Sequence, residues 1–167
     1  SRIREVSERM DRNGQVVVAL DEGALAEAID ELVGLGIEAL AIAFLWSFRN
    51  PAHERRARAI AAERAPHLFV TVSHELAPRL GEYERTVAAV LNCYVGPVTS
   101  QYLERIKTQA EQEKLARPIL LMQCNGGLAS LDAITATPLL LLQSGPCGGV
   151  VGARALGNLL GHDNIIA

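Results

Sequence analysis

The sequence predicts an α/β fold with a mainly parallel sheet, flanking helices and one long kinked helix. Strand-like and helix-like segments alternate in the order β-α-β-α-β from Val16 to Ser73. Such an order implies right-handed crossover connections and therefore parallel strands. Further along, the apolar pattern changes to helical spacing and keeps it from Glu82 to about Lys114.

The first strand, the first helix and the second strand follow from short local patterns. Val16–Leu20 is a β-branched run typical of a strand or an edge strand. Asp21 has a side chain suited to cap a helix from Glu22 to Leu35, in which the large apolar residues share one face. Ala39–Leu45 is apolar without alternation, which predicts a strand covered on both faces.

A second helix and a third strand follow. Asn50-Pro51 places a capping residue before a proline at the first helical position, and the helix that it opens extends to about Ala65. Leu68–Ser73 is the next strand. We expect this strand to share one sheet with Ala39–Leu45 and with the later apolar run Ile119–Gln123.

An apolar stripe at helical spacing continues across Gly96-Pro97. Because the stripe is not interrupted there, we predict one long helix from Glu82 to about Lys114, kinked at the proline and packed on the sheet. The stripe consists of Val87, Val90, Leu91, Tyr94, Val98, Tyr102 and Ile106.

In the last third of the chain, two apolar runs each lead into a segment rich in glycine. The predicted strand Ile119–Gln123 is followed by the polar turn Cys124–Gly127 and by a short segment capped at Ser130. A second apolar run, Leu139–Leu142, precedes a glycine-rich helix start at Gln143–Val150. Loops at the carboxyl ends of strands are where open α/β sheets place ligands.

Composition limits the classes of function. The 167 residues are 49% hydrophobic and carry a net charge of −3, so no basic patch favours nucleic acid as a partner. No apolar run reaches the roughly 18 residues needed to span a bilayer. The odd cysteine count suits a reducing cytosol, and the four histidines lack metal-ligand spacing, so we expect a cytoplasmic protein without a metal site.

The apolar end Asn164–Ala167 looks like half a strand, so we expect a piece of a longer protein that is truncated at both ends.

Two sets of residues are candidates for binding, and each has a structural alternative. Asn125, Gly126 and Gly127 could hold a polar group of a substrate, or could form a turn because Asn-Gly tolerates positive φ. His74 and Glu75 follow a strand and could do acid–base work, although such residues are more often caps and surface pairs.

The glycine run Gly145–Gly152 matches neither a dinucleotide fingerprint nor a Walker loop. Its small residues either let the helix press against a neighbour or contact a ligand, and we favour packing. Cys147 at the start of this helix could have a lowered pKa, but no histidine stands beside it in sequence.

Six collinear stretches resemble the hydantoinase A/5-oxoprolinase family, which includes N-methylhydantoinase A and acetone and acetophenone carboxylase subunits. They cover nearly the whole chain. The stretches are Arg4–Val6, Asn50–Glu54, Ser73–Leu76, Glu82–Thr86, Met122–Gly127 and Ser144–Ala153.

The resemblance implies an actin-like (ribonuclease H-like) ATPase fold in which two glycine-rich phosphate loops hold ATP. Neither loop is present in this chain, so its catalytic residues stay unknown. Residues 1–143 would belong to the family's N-terminal region. Residues 144–167 would begin the hydantoinase A domain with a helix that connects two lobes, which places Ser144, Gly145, Gly148 and Gly149 near the nucleotide.

The implied activity of the parent protein is ATP-dependent opening of a cyclic amide such as a hydantoin or 5-oxoproline, by phosphorylation of the amide oxygen and attack of water. ATP and magnesium would serve the parent, with none expected on this fragment alone, and a second, B-type subunit would be its partner. The alternatives are a subunit of an ATP-dependent ketone carboxylase and a segment that serves mainly as a docking surface. Cys147 and Cys124 stand where the family commonly has alanine and serine, so neither is expected to be a nucleophile.

Overall fold

The computed structural model describes residues 1–166 and divides the chain into two compact units, Ser1–Pro97 and the segment that begins at Val98. The first unit contains the predicted β-α-β-α-β order. Its elements are β1 (Arg9–Met10), β2 (Val16–Val18), α1 (Glu22–Gly34), β3 (Ala39–Ile42), α2 (Ala52–Arg64), β4 (Phe69–Val72), α3 (Ser73–Leu76) and the first part of α4 (Glu82–Gln112).

The core of the first unit lies around a parallel pair of strands. β3 and β4 are paired in register from Ala39 opposite Phe69 to Ile42 opposite Val72, which confirms the parallel pairing of these two runs. Helices α1 and α2 pack beside them through Leu25, Ile29 and other aliphatic side chains. The predicted cap of α1 is confirmed, because Asp21 Oδ1 accepts a 3.0 Å hydrogen bond from the Ala24 N–H.

The second unit contains the end of α4 and a small antiparallel hairpin. Its further elements are β5 (Leu120–Met122), β6 (Leu128–Ser130), α5 (Leu131–Ala136), a 3-10 helix (Pro138–Leu141) and α6 (Ser144–Leu160). The cap at Ser130 and the helix from Ser144 are confirmed, and the Ser130 hydroxyl accepts from the Ala133 N–H. Gly161 ends α6 in a left-handed conformation.

The prediction that Ile119–Gln123 shares one sheet with the two earlier strands is wrong. The described residues form three two-stranded sheets, and β5 pairs with β6 rather than with β3 or β4. The connection from Met122 to Leu128 is too short for a parallel crossover, which needs a dozen or more residues, so the strand folds back on its sequence neighbour. A mainly parallel sheet is therefore not confirmed, although the mixed α/β class is.

The apolar run Leu139–Leu142 is not a strand either. Pro138–Leu141 forms a 3-10 helix, in which the Leu140 N–H donates to Thr137 O at 3.0 Å and the Leu142 N–H donates to Leu139 O at 3.1 Å. Leucine has no strong strand preference, and proline at the first position needs no hydrogen-bond donor, so the local turn is favoured.

The long helix is confirmed as one element that continues through Pro97, while its kink stays a prediction. The apolar stripe that predicts the helix lies mostly on its exposed side, however, with Tyr94 82% exposed. Small and polar residues form the buried side instead, because α4 lies very close to β4: a Cβ atom built on Gly96 would lie 2.6 Å from Cδ1 of Phe69. In the first unit the buried side consists of Arg85, Ala89, Asn92, Cys93 and Gly96, and in the second unit Leu103 is buried.

No helix within residues 1–166 is both long enough and apolar enough to cross a membrane.

Candidate functional site

The carboxyl ends of the two parallel strands lead into a cluster of buried polar side chains. Phe44 follows β3, whereas Ser73 and His74 follow β4 directly. Glu54, in the first turn of α2, lies between them with no exposed surface. This is the end of a parallel sheet at which α/β proteins place ligands.

Glu54 has all its acceptor positions in use. One carboxylate oxygen accepts from the Phe44 N–H at 2.8 Å and from the Ser73 hydroxyl at 2.5 Å. The other accepts from the His74 N–H at 2.9 Å and from His74 Nδ1 at 2.7 Å. An ionised carboxylate offers about four lone-pair positions, so these four donors satisfy it completely. Glu54 thereby fixes the loops that follow both strands.

His74 has one nitrogen fixed and the other without a partner. Its ring is buried, and Nδ1 lies against Glu54. Nε2 has no hydrogen-bond partner among the described residues; the nearest carboxylate oxygen, Glu75 Oε1, is 4.0 Å away. Because the ionised carboxylate only accepts, the proton on Nδ1 points to Glu54, and in the neutral ring Nε2 has a lone pair free to accept a proton or a hydrogen bond.

Glu75, the other predicted residue of this pair, lies at the surface. Its side chain is exposed and pairs with Arg58. The structure therefore joins His74 with Glu54 and Ser73 and leaves Glu75 at the edge of the cluster.

Arg85 lies beside the same loop. It is 1% exposed, and Nη2 donates to the Phe44 carbonyl oxygen at 2.6 Å. The guanidinium also lies over the ring of Phe48, 5.5 Å from its centroid. The Phe44 backbone thus donates to Glu54 through its N–H and accepts from Arg85 through its carbonyl oxygen.

The loop between β3 and α2 is held in an unusual conformation. Trp46 has φ of 59°, which is rare for a bulky residue. The neighbouring Ser47 is buried, with its hydroxyl 3.3 Å from that of Ser73. Contacts from Glu54, Ser73 and Arg85 to this loop stabilise the strained position.

Sequence reasoning did not identify Glu54 and Arg85 as site residues, although a signal existed for each. Glu54 stands three and seven residues before the buried Ala57 and Ala61, on the apolar face of α2. Arg85 stands at helical spacing from the buried Ala89 and Asn92. In both cases a charged residue occupies a position on the buried face of a helix, and this pattern could have identified Glu54 and Arg85.

In the second unit, Asn125, Gly126 and Gly127 form the turn of the β5–β6 hairpin. Gly126 has φ of 84°, and Asn125 Oδ1 accepts from the Gly127 N–H at 2.8 Å. The Gln123 N–H closes the hairpin on the Gly127 carbonyl oxygen. These bonds account for the residue types as a turn, and a contact with substrate stays a prediction.

The glycine-rich segment Ser144–Gly149 forms the first turns of α6 rather than a loop. A Cβ atom on Gly148 would lie 3.6 Å from Met122. A Cβ atom on Gly145 or on Gly149 would have no described neighbour within 4 Å outside the backbone of its own helix. The Cys147 N–H is already used, since it donates to the Gln143 carbonyl oxygen.

The residues described provide no complete site for ATP with magnesium. The Cys147 N–H is bonded within the helix and is therefore not available to a phosphate. Within residues 1–166 no group of three or more His, Cys, Asp or Glu side chains could hold a metal ion. The buried Cys93 is not a reactive thiol either, because burial raises its pKa.

Comparison with known proteins places these features in a family. The family model of the hydantoinase/oxoprolinase N-terminal region matches residues 1–65, and that of hydantoinase/oxoprolinase matches residues 85–167. Caprolactamase subunit alpha of Pseudomonas jessenii is 36% identical over 98% of this chain and 23% of that protein. The acetophenone carboxylase gamma subunit of Aromatoleum aromaticum is 32% identical over 97% of this chain and 22% of that protein.

Solved structures agree with the sequence matches. Nucleotide-free acetone carboxylase superposes with a TM-score of 0.82 and 31% identity over 93% of this chain and 22% of that chain. The ATP-dependent caprolactamase of Pseudomonas jessenii superposes with a TM-score of 0.76 and 36% identity over 92% of this chain and 23% of that chain. The chain spans about a quarter of the length of the curated relatives it matches. Since models of one family match both its ends, the chain belongs to the hydantoinase/oxoprolinase family.

Proposed function

We propose that this chain is part of an ATP-dependent hydrolase that opens a cyclic amide of the hydantoin or 5-oxoproline type. The observation that carries the proposal is the 36% identity to caprolactamase subunit alpha over 98% of the chain. Caprolactam is itself a cyclic amide. The proposal includes an actin-like fold and a cytoplasmic location for the parent, with ATP and magnesium bound by loops outside residues 1–167.

A second reaction has specific support. The TM-score to acetone carboxylase, 0.82, is higher than that to caprolactamase, 0.76. We therefore keep a ketone carboxylase subunit as the alternative. Several relatives are named as subunits, which supports a partner subunit of the B type in either case.

Within this chain, His74 is the residue that we favour for contact with substrate. Its unpartnered Nε2 and its orientation by Glu54 support that role. Glu75 and Asn125–Gly127 are weaker candidates, because Arg58 and the hairpin turn already account for them. Ser144, Gly145, Gly148 and Gly149 stay a proposal for the neighbourhood of the nucleotide.

A substrate panel tests the proposal. The full-length parent, purified with its partner subunit, would be incubated with ATP and magnesium and with hydantoin, 5-oxoproline or caprolactam. Parallel reactions would contain acetone or acetophenone with ¹³C-bicarbonate. We expect ADP release that depends on a cyclic amide, together with a ring-opened acid by mass spectrometry. A ¹³C-labelled keto acid instead would establish the carboxylase alternative.

Two variants then test His74. We expect His74→Gln to lower kcat at least tenfold, whereas the exposed His67→Gln control leaves it unchanged. Equal kcat values for the two variants would show that His74 does not act in the reaction.

The location of the nucleotide site has its own test. Because the described residues do not form a phosphate clamp, we expect the isolated chain to bind ATP-magnesium no more tightly than millimolar, on the order of −4 kcal/mol. Micromolar affinity by calorimetry would place a nucleotide site within residues 1–167.

A further inference from the structure

Arg85 is a buried cation that pairs with no carboxylate among residues 1–166. Nη2 bonds only a neutral carbonyl oxygen, that of Phe44. Nε and Nη1 are both buried and have no hydrogen-bond partner among these residues. Because a guanidinium keeps its charge at any physiological pH, it cannot relieve this burial by losing a proton, as a lysine could.

The neighbouring carboxylate cannot supply the missing bonds. Glu54 is connected to Arg85 through the hydrogen-bond network, since Glu54 accepts from the Phe44 N–H and Arg85 donates to the Phe44 carbonyl oxygen. Its oxygens already accept from Phe44, Ser73 and His74, which leaves no lone pair for Arg85. Its charge offsets that of Arg85 only at a distance. An acceptor from outside the described residues is therefore needed.

We propose that Arg85 binds a small planar oxyanion of the carboxylate class at the carboxyl end of the parallel strands. Nε carries one unused N–H group and Nη1 carries two, and such donors suit oxygen atoms. Charge-assisted bonds from arginine to carboxylates are among the strongest in proteins. Phe48 covers one face of the guanidinium, so the ligand enters beside this ring or displaces it.

The choice of ligand rests on the proposed function. Opening of a cyclic amide produces a carboxylate, and carboxylation of a ketone converts bicarbonate into the carboxylate of a keto acid. Both reactions therefore bring a planar carbon oxyanion to the protein. The shared chemistry is the carboxylate group, and the source differs between the two reactions.

A binding measurement tests the site independently of turnover. ¹³C-acetate and ¹³C-bicarbonate would each be titrated into the full-length parent, and line broadening would give the dissociation constant. We expect Arg85→Met, which keeps the length of the side chain without charge or donors, to weaken binding of at least one probe about tenfold or more. The dissociation constant of Arg85→Lys should lie between those of the unmodified protein and Arg85→Met, because lysine keeps the charge and loses the planar group. The exposed Arg79→Met serves as the control and should bind like the unmodified protein.

Stability separates ligand binding from a purely structural role of Arg85. Loss of the bond to the Phe44 carbonyl oxygen should lower Tm in Arg85→Met whether or not a ligand binds, so the test compares the rise in Tm that each probe causes. If Arg85 binds a ligand, this rise should be smaller in Arg85→Met than in the unmodified protein. A lower Tm with unchanged dissociation constants for both probes would show that Arg85 holds the loop without binding a ligand, and the proposal would be wrong. No binding of either probe to the unmodified parent would also overturn it. Failure of the substrate panel alone would not, because acetate and bicarbonate binding does not need a turnover reaction.

Discussion

Glu54 Oε2 and His74 Nδ1 lie 2.7 Å apart, although the two residues are 20 positions apart in the chain. The bond joins the start of α2 to the segment that follows β4. Glu54 also accepts from Phe44 after β3, so one carboxylate connects the ends of both parallel strands. The position of the candidate site therefore depends on a single buried charge.

Removal of that charge should be strongly destabilising. Glu54→Ala leaves the donors of Phe44, Ser73 and His74 unsatisfied in the interior, so we expect a loss of about 3–5 kcal/mol in the free energy of unfolding. Glu54→Gln keeps the volume and one acceptor oxygen, and should lose about 1–3 kcal/mol. Urea denaturation measures both, with the exposed Glu27→Ala as the control. If Glu54→Ala were as stable as Glu27→Ala, the cluster would not hold the loops.

The elements of the first unit could be predicted from sequence because their signals are local. Asp21 before an apolar face predicts α1, and the unbroken apolar run at Ala39 predicts β3. The partner of a strand is not a local property. The run at Ile119 has the composition of a sheet strand, and the hairpin turn at Gly126 decided its pairing.

The buried face of α4 could not be predicted from apolar periodicity. The stripe through Val90 and Tyr94 gave the correct helical period but the opposite face. Close approach to β4 selects small residues, and Gly96 against Phe69 is the example. The same reversal hid Arg85, since a charged residue on the side opposite an apolar stripe normally faces water.

Two ion pairs between α1 and α2 should make their packing sensitive to acid. Arg56 lowers the pKa of Glu22, and Arg64 lowers that of Asp30, in each case mainly through a side-chain hydrogen bond. Since each folded-state pKa lies below the unfolded value, the stability from each pair is present above about pH 4 and is lost as the pH falls through the folded-state pKa. Between about pH 5 and about pH 2, a range that roughly spans both pKa values, the double variant Glu22→Gln/Asp30→Asn should lose less stability than the unmodified chain. Urea denaturation at each pH measures the free energy of unfolding. The same dependence of that free energy on pH in the variant and in the unmodified chain would contradict this.

Two glycines in helices should respond oppositely to alanine. At Gly96 a Cβ atom would overlap the Phe69 ring, so we expect Gly96→Ala to lose about 1–3 kcal/mol by overpacking. A Cβ atom on Gly149 would have no described neighbour within 4 Å outside the backbone of its own helix, so Gly149→Ala should gain roughly 0.5–1 kcal/mol from helix propensity. Denaturation of both variants measures the difference. Addition of Phe69→Leu to Gly96→Ala should recover part of the loss, because the smaller side chain can move away.

The exposed apolar stripe of α4 should cause the isolated chain to associate. Val90, Tyr94 and Val98 are exposed on one helix, and contiguous apolar patches on soluble proteins mark surfaces that other protein covers. We expect Val90→Lys/Tyr94→Lys to shift the chain towards monomer in sedimentation velocity, with the free energy of unfolding changed by less than about 1 kcal/mol, because neither side chain packs in the core. Thr108→Lys adds one of these charges on the same helix, outside the stripe, and should not change association. If Thr108→Lys also shifts the chain towards monomer, net charge rather than the stripe controls association, and if neither variant does so, the stripe does not mediate association. If the double variant instead unfolds, the stripe is part of the core, and the exposed face assigned to α4 is wrong.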